Sequence, residues 1–366
     1  MTPATDSGSR IARMLAVAAA FAGASASTAM ATWTVTSLHN GATVHSQAFG
    51  NGSGQQVGWA FDGSNWHASL WSNTAASWVN LSPAGASLSV AWRASGGQQI
   101  GSASIGGVSY ASLWTGSAAS WVDLSPTGAA SAEGRGTDGV QQVGFASVDS
   151  LVRASLWTGT AASWVDLTPA GAVGSEAFAV HGGQQVGMAD FGGAVPQASL
   201  WTGSGASWVN LNPVGATQSH AYGVHAGSQA GYATIGGNDH ASRWSGTAGS
   251  WVDLNPAGAT SSIAYDIFAG QQVGYASVGG IDRASFWSGT AASWVDLHAV
   301  LPPAFFNSRA WGIWSDGLNT YVAGAGYNAV AGRNEALLWQ MEIPAPSAAL
   351  VLVGGLAMMA GRRRIS

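Results

Sequence analysis

The chain has 366 residues, of which 8% are charged, with a formal charge of −5, 52 Gly, 19 Trp, no Cys and, since all 12 basic residues are Arg, no Lys. Soluble domains carry about 25% charged residues, so Ser, Thr, Asn, Gln and backbone must cover this surface. The composition excludes lysine chemistry, disulfides, thiolate metal sites and cysteine nucleophiles, and it offers no electrostatic footprint for nucleic acid.

Residues 1–31 place Arg10 and Arg13 before an apolar stretch, Met14 to Ala22, and end in small residues at Ala29-Met30-Ala31. This layout predicts a secretory signal peptide cut after Ala31. Its apolar core is too short and Ala-rich for a good spanning helix.

Residues 32–341 then repeat one unit. Ala-Ser-Leu-Trp or a close variant recurs with its Trp at 71, 114, 157, 201, 244 and 287. A second Trp, in Ser-Trp-Val-Asp/Asn-Leu, follows at 78, 121, 164, 208, 251 and 294. Gln-Gln-Val-Gly elements begin at Gln55, Gln98, Gln141, Gln184, Ser228 (as Ser-Gln-Ala-Gly) and Gln271. A period in the low forties predicts a repeat architecture. The pass from Asp239 to Val278 parses into four extended runs separated by Gly and Pro turns, Asp239–Trp244, Ser250–Leu254, Ser262–Phe268 and Gln271–Val278, which predicts a four-stranded antiparallel meander.

The ends of this region choose between ring and rod. Trp33 occupies the second Trp position with no first run before it, and Ala336-Leu337-Leu338-Trp339 is a first run with nothing after it. The two partial units sum to one, as a closed ring stitched from both termini requires. The reading is all-β, a seven-bladed β-propeller; a β-solenoid, which wants polar caps instead, is the alternative.

Repeated positions read as scaffold. The two Trp columns are expected to pack between blades. The Asp/Asn column (Asn80, Asp123, Asp166, Asn210, Asp253, Asp296) suits side chains that cap backbone amides, and Asn in two of six places argues against an obligate calcium ligand. A third, aromatic column comprises Phe49, Trp92, Phe178, Tyr222, Tyr265 and Trp311, with Arg135 replacing the aromatic in one unit. That unit is irregular, and Glu133, Arg135 and Asp138 make it a candidate site in a charge-poor chain. A variable column stands before each first run: His67, Tyr110, Arg153, Gln197, His240, Arg283 and Glu335. It is expected on one rim, where such hydrogen-bonding side chains would suit a polar polymer. The residues suggest no metal and no cofactor.

Residues 342–366 close the chain with Pro344-Ala345-Pro346, an apolar run from Ala348 to Ala360, and Arg362-Arg363-Arg364. This resembles the PEP-CTERM sorting signal of Gram-negative bacteria, with Ala345 in place of Glu. The resemblance implies handling by an exosortase-like enzyme, membrane attachment through the tail and a link to exopolysaccharide. The repeats resemble the extracellular HAF family in Ala154-Ser155-Leu156-Trp157, Asp166-Leu167, Ser219-His220-Ala221-Tyr222-Gly223-Val224 and Gln184-Gln185-Val186-Gly187, with Ser where that pattern has Phe. HAF membership implies a surface or secreted location and assigns no catalytic residue. The expectation is an exported, surface-anchored, non-enzymatic propeller that binds or organises matrix polysaccharide or surface proteins. The alternatives are a polysaccharide hydrolase or lyase on the same scaffold and a purely structural matrix protein.

Overall fold

The computed structural model describes residues 32–343 apart from position 194. Residues 1–31, where a signal peptide is expected, and Pro344, Ala345, Pro346 and Arg362 to Arg364 of the expected sorting signal lie outside the described residues.

Tight turns set the strand order. Gly279 and Gly280, both at positive φ (63° and 79°), join Gln271–Val278 to Ile281–Trp287 in the two-residue turn whose twist suits antiparallel strands. The sheet that contains them runs Ala259–Phe268, Gln271–Val278, Ile281–Trp287, Val295–Asp296. A blade therefore begins at the third run of the sequence unit and not at the first. The reason lies in the connections. Short Gly turns link the third run to the fourth and the fourth to the next first run, whereas the Pro-containing link after the second run crosses to the next blade. That second run is also shorter than its sequence suggests, because Ala248–Ser250 is a 3-10 turn and only Val252–Asp253 pairs.

Seven such four-stranded units follow one another, the first two joined by a single parallel bridge between Trp66 and Leu88. Their first strands, blades 1 to 7 in order, are His45–Gly52, Ala86–Ser95, Ser131–Thr137, Gly174–His181, Ser219–His225, Ala259–Phe268 and Phe305–Ser315. Blade 7 is closed by the other end of the chain. Trp33–Ser37 pairs antiparallel with Arg333–Glu342, Trp33 opposite Met341 and Ser37 opposite Leu337. The Ala336 N–H donates to Ser46 Oγ at 3.0 Å across 290 residues of sequence, tying blade 7 to blade 1. The fold is the β-propeller that the two partial units imply.

The repeated residues hold blades together. All seven first-column Trp side chains are almost wholly buried. Trp201 packs on Val143, Leu156 and Leu167 of blade 3 as well as Ala177 and Val180 of its own blade, so each indole fills the wedge between neighbours. The second column is half-buried, and its indole N–H donates to the Ser of Ala-Ser-Leu-Trp, as in Trp164 to Ser155 Oγ at 2.8 Å. A buried Ser on the first strand of one blade accepts an Ala N–H of the blade before it, as Ser175 does from Ala154 at 2.9 Å. The Asp/Asn column caps turns as expected, Asp166 Oδ1 accepting the Thr168 N–H at 2.8 Å.

Candidate functional site

In every blade the first strand carries a register shift around the third-column residue, for instance between Ala91 and Arg93 and between Gly134 and Gly136. A bulge leaves one residue unpaired and re-aims its side chain. Here the bulged residues are Phe49, Trp92, Arg135, Phe178, Tyr222, Tyr265 and Trp311, and together with Arg93 and His220 they line one cavity of about 330 Å³. All seven blades contribute, so the cavity lies on the propeller axis. Six of the seven are aromatic. The seventh, Arg135, which makes blade 3 look irregular in sequence, completes the ring.

The ring is nearly continuous. Trp311 meets Phe49 edge-on at 5.1 Å, Phe49 stacks on Trp92 at 4.6 Å, and the Arg135 guanidinium lies 4.6 Å over Trp92. Phe178, Tyr222 and Tyr265 continue the series at 5.1 and 5.5 Å, and Tyr265 faces Trp311 at 6.4 Å. Glu133 pairs with Arg135 at 3.0 Å, so the guanidinium is held by a carboxylate and a π-face at once. Asp138 does not join them. Its Oδ1 accepts the N–H groups of Val140 and Gln141, and it borders a second cavity of about 210 Å³ that also draws on all seven inner strands.

Between the two cavities sits a pair the sequence reading missed. The residue after each aromatic is Gly or Ala in five blades but Arg93 in blade 2 and Asp266 in blade 6. At Gly136 the column leaves no room, since a Cβ there would come within 2.7 Å of the Phe178 carbonyl oxygen. Arg93 and Asp266 form an ion pair across the axis, and Arg93 also donates to the Tyr265 carbonyl at 3.2 Å. Asp266 accepts the backbone N–H groups of Ile267 and Ile313 at 2.9 and 3.0 Å. Opposite charges in one otherwise small column were the available signal, masked by 173 residues of separation.

Burial sets the ionisation of the walls. It lowers the His220 pKa to about 4, so the imidazole, stacked on Tyr232 at 5.1 Å, is neutral near pH 7. Burial raises Tyr222 and Tyr265, and Tyr232 to about 12, which keeps their hydroxyls protonated. Glu176 is also raised by burial, against the pull of Arg135. As pH falls, an unfolded chain protonates His220 from 6.5 while the folded chain resists until about 4. The stability tied to this group is complete above the unfolded value and lost progressively below it. Urea unfolding at about pH 7.5 and about pH 4.5 should therefore show a loss of a few kcal/mol. His220→Phe should flatten it in part, with Glu176 working in the opposite direction.

The variable column lies elsewhere, and none of its members lines either axial cavity. Six of the seven bond the outer strand of their own blade or a neighbouring turn. Arg153 pairs with Asp166, His240 with Asp253 and Arg283 with Asp296, all at 2.8 Å. Gln197 accepts from Asn210 at 2.6 Å. Glu335 is buried and accepts from Ser37, Asn328 and Arg333, and Tyr110 is half-buried. His67 bonds Ser82 and Asp62. The column varies together with its partners inside each blade, and the structure does not gather it into one site.

The described chain thus belongs to the class of β-propellers with an occluded, aromatic-lined axis. No protein-family model and no curated protein matches the sequence. Among solved structures it is similar to a puromycin hydrolase mutant (TM-score 0.55, 10% identity, 82% of this chain and 56% of that one). An acylaminoacyl peptidase from Pyrococcus horikoshii is similar at TM-score 0.52 and 9% identity, over 84% and 53%. The β-propeller domain of the Trilobed protease from Pyrococcus furiosus is matched over 97% of its length and 83% of this chain, at TM-score 0.51 and 8% identity. The chain spans about half the length of the hydrolase and the peptidase. At these identities the likeness shows the fold. It also corrects the expectation of a non-enzymatic propeller that binds or organises matrix polysaccharide. Solved propellers of this shape sit in hydrolases and peptidases, so a regular ring is no ground for a non-enzymatic class.

Proposed function

We propose that the chain serves hydrolytic chemistry as a substrate-selecting propeller. In this reading the axial mouth holds the flat, apolar end of an aminoacyl or peptide-like substrate. The observation that carries the proposal is the convergence of six aromatic side chains and Arg135, one from each blade, on a single cavity of about 330 Å³. Aromatic faces take up a flat apolar group, and the Arg93 and Arg135 guanidinium groups supply donors for a carbonyl or carboxylate oxygen. The likeness to propellers of a puromycin hydrolase and an acylaminoacyl peptidase supports this substrate class. Export is part of the proposal and rests on the signal-like sequences at residues 1–31 and 342–366, the latter with an exosortase-like enzyme as partner.

Isothermal titration with N-acetyl-phenylalanine amide tests the site. The expected result is saturable binding that Trp92→Ala and Trp311→Ala each weaken about tenfold, the equivalent of about 1.4 kcal/mol. Binding that neither change alters would contradict it.

A further inference from the structure

A second arrangement, independent of the axial cavity, lies where blade 1 meets blade 2. Ser82 occupies the position that in other blades clasps the buried Ser of the following blade, as Thr168 clasps Ser175 at 2.9 Å. Ser82 does the same with Ser89 at 2.7 Å. Only in blade 1, among the described residues, does the partner column supply an imidazole beside a hydroxyl at this place. The equivalent pairs are Ser125 with Tyr110, Thr168 with Arg153, Asn212 with Gln197, Asn255 with His240, His298 with Arg283 and, in blade 7, His39 with Glu335.

The hydrogen bonds fix a direction. Ser89 Oγ accepts the Ala68 N–H at 2.8 Å. Because the Asp62 carboxylate can only accept, the neutral His67 ring carries its proton on Nε2, Nδ1 takes the Ser82 proton, and Ser89 is left to donate to Ser82 at 2.7 Å. The Ser82 proton is then directed at His67 Nδ1, 2.9 Å away. On the far side of the ring, His67 Nε2–H donates to Asp62 Oδ2 at 2.8 Å. Asp62 is held in turn by the N–H groups of Ser64 and Asn65 on its other oxygen, both at 2.8 Å. A carboxylate that orients an imidazole whose free nitrogen faces a serine hydroxyl is the arrangement that activates a serine nucleophile. The same corner exposes apolar side chains next in sequence to relay residues: Trp66, beside His67, is 36% exposed and Leu88, beside Ser89, is 40% exposed. Backbone pairing places these two side by side.

We infer that Ser82 is an activated nucleophile and that this corner of the ring hydrolyses esters of apolar acids. Ser82 Oγ adds to the ester carbonyl while its proton passes to His67 Nδ1. The bond to the leaving alkoxide then breaks, and the alcohol departs with that proton. Water, deprotonated by His67, adds to the acyl-serine, and cleavage of its C–Oγ bond frees the acid and returns the proton to Ser82. Asp62 acts as a positioning residue that fixes the imidazole tautomer.

The test is hydrolysis of p-nitrophenyl butyrate by the full chain, with covalent labelling by an alkyl fluorophosphonate mapped by mass spectrometry. The expected label is on Ser82. Ser82→Ala and His67→Phe should each lower turnover about a hundredfold or more, whereas Ser125→Ala, at the same place in blade 2, should leave it unchanged. Asp62→Asn retains the oxygen that caps the Ser64–Asn65 turn but turns an N–H toward His67. It should reverse the tautomer seen in ¹⁵N imidazole spectra and suppress labelling while the melting temperature holds. Turnover unaffected by Ser82→Ala, labelling at another residue, or no hydrolysis by the wild-type chain would overturn the inference.

Discussion

Asp266→Ala is expected to destabilise the propeller by about 3–5 kcal/mol, the cost of removing one member of a buried ion pair. The side chains of Arg93 and Asp266 are only 16% and 10% exposed, so the guanidinium left behind would have little water to turn to. The loss would extend beyond the charge, because Asp266 also satisfies the N–H groups of Ile267 and Ile313. Three blades, the second, sixth and seventh, meet at that one carboxylate. Urea unfolding followed by far-ultraviolet circular dichroism would measure the change. The double replacement Arg93→Met with Asp266→Leu should recover the part due to the unpaired guanidinium, because a buried pair exchanged for packed apolar groups is often neutral, but not the part due to the Ile267 and Ile313 N–H groups. A single change that costs less than about 1 kcal/mol would mean that the pair is solvated and does not close the axis.

Trp201→Ala is expected to cost about 3–5 kcal/mol through the cavity it leaves between blades 3 and 4. The side chain is fully buried, and its neighbours come from both blades. Trp208→Ala, seven residues on, provides the contrast. Its ring is half-buried and anchored by one hydrogen bond to Ser199 at 2.8 Å, so its loss should be about 1–2 kcal/mol. Equal costs at the two positions would contradict the reading that the fully buried first column, and not the half-buried second, fills the space between blades.

Much of this architecture is legible in the chain because a propeller writes its packing as periodicity. The first Trp column reports a contact that recurs in every blade, and the second reports one that recurs in blades 1 to 6, Val35 standing at its place in blade 7. The pairing of Trp33–Ser37 with Arg333–Glu342 is what the partial units at the two ends imply. The phase of the blade is not legible in the same way. Periodicity is indifferent to where a repeat begins, and only the turn and crossing connections decide it. The aromatic column shows what sequence can and cannot reach. Its members are visible at one spacing, but the bulge that turns them all to the axis, Arg135 included, belongs to the backbone. Arg93 and Asp266 lie 173 residues apart, and no local pattern links them. Reading one column from blade to blade also hid the Asp62, His67 and Ser82 relay, which runs within a single blade.

In the proposed function, the ring of third-column side chains is where this protein holds its ligand. Diffraction from crystals soaked with N-acetyl-phenylalanine amide addresses it most directly. The expected density lies within the cavity bounded by Trp92, Phe178, Tyr222 and Trp311, its ring against the aromatic faces and a carbonyl oxygen toward Arg93 or Arg135. Ordered density at another place on the propeller, with the axial mouth empty, would contradict it.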